Sequence, residues 1–145
     1  MIEVLIVIAL IGVLSGAFLV LVNPKAQLQK ARDSQRKSNL RQIQSSLEVY
    51  RADCGEYPAS LGSKITSSVP PCSSPNVTYM QTVPKDPKTG NSYYYCTTAG
   101  LCASSTSLYS LYACIENISD PESLPSPPAA LGCPSGSEYI KYSNP

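Results

Sequence analysis

Six cysteines, Cys54, Cys72, Cys96, Cys102, Cys114 and Cys133, and one isolated carboxylate, Glu3, are the residues whose types and spacing bear chemistry. The cysteines are even in number and irregularly spaced, and none forms a C-x-x-C pair. Zinc is therefore weakly supported, and the pattern reads as three disulfides in an oxidising compartment. Connectivity is open, with a leaning toward near neighbours such as Cys96 with Cys102 across a Thr-Thr-Ala-Gly-Leu turn. Glu3 interrupts an apolar run, and such a carboxylate is either solvated at an interface or paired with a specific cation. Histidine is absent, which removes the commonest general base and metal ligand and excludes His-based triads and zinc sites. The expectation is no enzyme, no cofactor and no metal site.

The element that must position Glu3 is a helix. From Val4 to Val22 nineteen consecutive residues carry no charge, close to the roughly 20 needed to cross a bilayer. The run is apolar on every side, unlike a core helix, and it lacks the basic start and small-residue cleavage site of a signal peptide. A retained membrane-spanning helix is expected. Gly12 and Gly16 stand four apart, the spacing that lets helix backbones approach closely in an apolar environment. Asn23-Pro24 follows, where a bend or unwound turn is expected because proline removes a donor and restricts its predecessor.

From Lys25 to Asp53 the pattern is that of an amphipathic helix. Leu40, Ile43, Leu47, Tyr50 and Cys54 recur at spacings of three and four, one apolar stripe to lie against the rest of the chain. The other face holds Lys25, Lys30, Arg32, Arg36, Lys37, Arg41 and Arg51 against Asp33, Glu48 and Asp53, net +4, while residues 54–145 carry −2. A solvated face is the default for such a run, and with an overall net charge of +1 nucleic-acid binding is the weaker reading.

Gly55-Glu56-Tyr57-Pro58 carries helix stop signals. Residues 59–92 read as loop, with a turn of helix around Tyr79 to Val83, and Pro84 to Asn91 as a strong turn. Strands are predicted at Ser92 to Thr97, Ser107 to Ile115 and Ser137 to Tyr142. The prolines of Glu116 to Gly136 mark a long exposed loop stapled by Cys133. Strand tyrosines are read as packing rather than ligand-binding. The fold class is α+β, divided as 1–23 transmembrane or filament-core helix, 24–54 amphipathic helix, and 55–145 disulfide-stapled β-sheet head.

Ile2-Glu3-Val4-Leu5 followed by Ile6-Val7-Ile8-Ala9-Leu10-Ile11-Gly12-Val13-Leu14 resembles the N-terminal signature of the type IV pilin and pseudopilin family. The resemblance is close over residues 1–55 and general beyond, and Tyr57-Pro58 is similar to the pair that often closes the family's long helix. Met1 aligns with the family's third mature residue, so the expectation is a sequence that begins late, with leader, cleavage glycine, phenylalanine and threonine upstream. That basic leader would supply the inside charge that otherwise conflicts with an external, cysteine-rich head.

The resemblance implies a major pilin that polymerises with copies of itself into a type IV pilus, methylated after processing and used in adhesion or twitching motility. The alternatives are a pseudopilin of a type II secretion system, or a single-pass surface adhesin that never polymerises. It further implies residence in the cytoplasmic membrane before assembly and outside the cell afterwards, with a prepilin peptidase, a platform protein and an assembly ATPase as partners. Glu3 would neutralise the N-terminal amine of an adjacent subunit, and Gly12, Gly16 and Pro24 would serve assembly. Disulfide-closed C-terminal loops favour the pilus, whereas brevity and the Pro84-Lys85-Asp86-Pro87 loop favour the pseudopilin. Asp120 and Glu122 are similar to a loop that holds calcium in some major pseudopilins, but two carboxylates are too few to assign a site.

Overall fold

The computed structural model describes residues 1–21, 23–67, 72, 73, 75–97, 109–127 and 129–143. Helix α1 covers Ile2–Leu21 and helix α2 covers Pro24–Cys54. They are separated at Asn23, which lies in the left-handed region with φ 38° and caps α2. Its Oδ1 accepts the Ala26 N–H at 3.4 Å, and Pro24 sits where the missing donor costs nothing. At the other end Gly55, with φ 82°, directs its N–H to the Arg51 carbonyl, a turn in which a β-carbon would be strained.

The expected stripe is the core face of α2. Leu40, Ile43, Leu47, Tyr50 and Cys54 are all buried, against Tyr109, Leu111, Ala113, Ile115 and Ile140. The last five belong to or adjoin an antiparallel sheet ordered β3-β4-β5, with β3 at Tyr94–Cys96, β4 at Ser110–Ile115 and β5 at Glu138–Ser143. These match the three predicted strands, residues 107 and 108 lying outside the described set. Alternation places Leu111, Ala113 and Ile115 toward α2. On the opposite face Tyr112 is covered by the rings of Tyr94 and Tyr139 at 5.9 and 6.0 Å.

One expectation fails here. Residues 59–92 are not loop with a helical turn near Tyr79: β1, Ile65–Thr66, pairs antiparallel with β2, Thr78–Met80. Ile65 and Met80 face each other in that pair and both are buried, so the ribbon extends the core beside α2. Strands of two and three residues are too short to print a period-two pattern. The 116–136 loop is largely exposed and stapled by Cys133 as expected; in addition Leu124 and Tyr139 exchange backbone hydrogen bonds of 2.8 and 3.1 Å and Ala129–Leu131 forms a 3-10 turn.

Candidate functional site

Two constellations stand out, one on α1 and one where α2 meets the head. Every described α1 side chain, through residue 18, is exposed. Eleven of them, from Ile2 to Phe18, are large and apolar, and burying each is worth about 1.5–3 kcal/mol. Glu3 lies in the first turn, where a carboxylate complements the helix dipole. A β-carbon added at Gly12 or Gly16 meets nothing within 4 Å, so nothing inside the chain demands small residues there. Among the described residues no helix is long and apolar enough to cross a membrane.

The second constellation corrects the expectation of a solvated basic face. Arg36 is buried, with its side chain 3% exposed, and it is surrounded by carboxylates. Its Nε and Nη2 donate to the two oxygens of Asp86 at 2.6 and 3.2 Å, and its Nη1 donates to Asp33 at 2.6 Å and Glu116 at 3.0 Å. Arg32 forks onto Glu116 with two bonds of 2.8 Å, and Lys88 reaches the same carboxylate at 2.9 Å. Three cations thus meet three carboxylates, which is what a charge cluster needs to be stable away from water.

Asp33, also buried, accepts the backbone N–H groups of Glu116 and Asn117 at 2.8–3.1 Å and so anchors the chain as it leaves β4. Asp86 accepts the N–H groups of Lys88 and Thr89 at 2.9 Å, so the predicted Pro84 to Asn91 turn folds around the carboxylate that holds Arg36. One turn further along α2, Lys37 reaches Asp120 at 2.6 Å and Glu122 at 3.2 Å, and Arg41 lies 3.6 Å from Glu122.

Asp33, Asp86 and Glu116 carry no site reading in the sequence, and Arg36 enters there only as a cation of the basic face. A signal existed: positions 33 and 36 continue the 40, 43, 47, 50, 54 stripe at the same three–four spacing. Charges on core positions imply partners across the interface. Of the cations a nucleic-acid reading would use, Lys30, Arg32, Arg36, Lys37 and Arg41, the last four pair with carboxylates of the same chain.

The cluster governs acid behaviour. Hydrogen bonds from Arg32, joined by Lys88 and Arg36, bring the Glu116 carboxyl down to about 2 against the effect of burial. For Asp86 burial pushes upward, but Arg36 and the Thr89 and Lys88 N–H groups prevail and bring it to about 2. Both groups bind protons less readily folded than unfolded, so their stabilisation is fully present above about pH 4.5 and is lost as pH falls toward 2. Thermal melts across that range should be flat down to about pH 5 and then fall steeply. A melting temperature indifferent to pH between 4.5 and 2 would contradict the cluster's role.

One disulfide ties the end of α2 to the segment that follows it, and another ties β4 to the loop before β5. Cys54 at the end of α2 bonds Cys72, and Cys114 in β4 bonds Cys133, each cysteine with the next one along the chain, in line with the leaning toward near neighbours. Cys96 is disulfide-bonded as well, and the expected Cys96–Cys102 pairing lies outside the described residues because Cys102 does. No described cysteine is free. Alkylation of the native chain should therefore leave Cys54, Cys72, Cys114 and Cys133 unlabelled, with all four reacting after reduction.

The tyrosines pack as expected, and several of their hydroxyls bind protein groups. Tyr57 and Tyr109 donate to Glu48, and Tyr95 donates to the Pro58 carbonyl at 2.6 Å.

A family model described as type II secretion system (T2SS), protein G, matches residues 24–113. That segment is more than half of the chain and runs from the start of α2 into β4. No curated protein and no solved structure matches.

Proposed function

The chain belongs to the type II secretion system protein G family and is a pilin-like filament subunit; within that class we propose that it polymerises through α1 into a filament outside the cytoplasmic membrane. The observation that carries this reading is α1 itself, whose described side chains are exposed around the whole circumference. So much apolar surface needs a membrane before assembly and neighbouring copies of the same helix after it. The open space at Gly12 and Gly16 suits close approach of a second α1.

In this proposal the chain is a single-pass protein of the cytoplasmic membrane until it is processed and extruded. A prepilin peptidase, a platform protein and an assembly ATPase are its partners, it is methylated after processing, and it catalyses no reaction. The family description and the Pro84 to Asn91 turn favour a secretion pseudopilus. A second reading, major pilin of a type IV surface pilus serving adhesion or twitching, is favoured by the Cys114–Cys133 bond, which closes the C-terminal loop.

Electron microscopy of sheared surface material, labelled with antibody to the head, tests both readings. Long labelled fibres identify the pilus, and short fibres confined to the envelope identify the pseudopilus. Label found only as dispersed subunits in the membrane would overturn polymerisation.

A further inference from the structure

The loop from Glu116 to Glu122 follows one row of α2 positions spaced four apart. Asp33 receives the N–H groups of Glu116 and Asn117, Lys37 meets Asp120, and Arg41 lies by Glu122. The row 33, 37, 41 lies on one helix face, so each turn of α2 supplies one partner to the loop.

Calcium, which the family resemblance would bring to this loop, needs six to eight oxygen ligands at about 2.3–2.6 Å. Three of the oxygens such a site would draw on are engaged within the chain. Asp120 Oδ1 accepts from Lys37 Nζ at 2.6 Å and from the Glu122 N–H at 2.9 Å. The Asp120 carbonyl accepts the Ser123 N–H at 3.0 Å and the Ser123 hydroxyl at 2.7 Å. Glu122 Oε2 accepts from the Tyr142 hydroxyl at 3.1 Å and lies 3.2 Å from Lys37 Nζ. Among the described residues no group of three or more His, Cys, Asp or Glu side chains is arranged to hold a metal.

Lys37 is itself largely enclosed, with its side chain 17% exposed and that of Asp120 15% exposed, so the ammonium takes the position between the carboxylates that a metal would need. We propose that the Asp120–Glu122 loop is held by a resident cation, the Lys37 ammonium supplied by α2, and that the fold of the head is consequently independent of calcium. The device replaces an external ligand with a residue of the helix the loop must be held against. Head and helix are thereby closed without any ion from the medium.

The test uses the full chain in detergent micelles, melted in excess calcium chloride and in EDTA, with a calorimetric titration of calcium chloride alongside. The expected result is superimposable melts and no saturable heat. Lys37→Gln should lower Tm by about 3–6 °C in both conditions, and in an Asp120→Asn background the same change should have a smaller effect, because the carboxylate that required a cation is gone. Saturable calcium binding by the parental chain, or a parental Tm raised by calcium, would overturn the proposal. So would Lys37→Gln melting with the parent. The readout is the fold of the head and is indifferent to polymerisation, so its failure is distinguishable from failure of the filament reading.

Discussion

Replacing Arg36 by methionine is expected to destabilise the chain by about 3 kcal/mol, at the lower end of what breaking a buried ion cluster costs, lowering Tm by roughly 12 °C. The side chain is 3% exposed and binds three carboxylates, so its loss leaves Asp33 and Asp86 charged without their cation. The loss is held to the lower end because both keep backbone donors, Glu116 and Asn117 on Asp33, Lys88 and Thr89 on Asp86. Arg36→Lys should fall between, since an ammonium preserves charge but cannot fork across both oxygens of Asp86.

A variant combining Arg36→Met with Asp33→Asn and Asp86→Asn should recover much of the loss. The penalty lies in the uncompensated carboxylates rather than in packing. Thermal unfolding followed by circular dichroism checks the series. A Tm for Arg36→Met within about 2 °C of the parent would show that the cluster does not hold the head on α2.

The contrast between the two halves of α2 shows what a sequence exposes and what it hides. Leu40, Ile43, Leu47, Tyr50 and Cys54 were legible as a buried face because apolar residues at helical spacing have no other use at that density. Asp33 and Arg36 occupy the same face and are as buried, yet a count of apolar positions passes over them. Their partners Asp86 and Glu116 lie 50 and 80 residues from Arg36, and local pattern says nothing about which distant carboxylate will arrive. Cys54–Cys72 and Cys114–Cys133 follow the leaning toward near neighbours in the chain, although spacing alone leaves connectivity open because pairing follows tertiary proximity. Strand β4 was legible since its alternation runs long enough to count, whereas β1 and β2 are too short to leave a period. On α1 Glu3, Gly12 and Gly16 are exposed, as expected of a helix that is apolar on every side.

Glu3→Ala is expected to leave membrane insertion and cysteine pairing intact while sharply reducing filament yield. A charge at the centre of an apolar helix bundle costs about 3 kcal/mol on the insertion scale. By resemblance the neighbouring subunit's N-terminal amine offsets that cost, and the bond in turn fixes the register between subunits. Losing it corresponds to roughly a hundredfold weaker addition of each subunit. Within one chain Glu3 makes no ion pair among the described residues, so the head has no stake in it and Tm should be unchanged. Glu3→Asp should be intermediate, because the shorter side chain retains the charge and misplaces it. Filament yield is read by shearing and immunoblotting, with whole-cell subunit level as the control. Normal yield from Glu3→Ala at parental expression would remove Glu3 from assembly and leave α1 an anchor.

The most direct measurement of polymerisation through α1 is photo-crosslinking within that helix. A photoreactive amino acid placed at Leu10, which is 59% exposed and distant in sequence from the disulfides and the charge cluster, reports what covers α1 in the cell. Irradiation of intact cells should yield a ladder of subunit multimers joined helix to helix, and Glu3→Ala should shorten it. Crosslinks to lipid alone, from subunits present at parental level and carrying fully paired cysteines, would contradict the account.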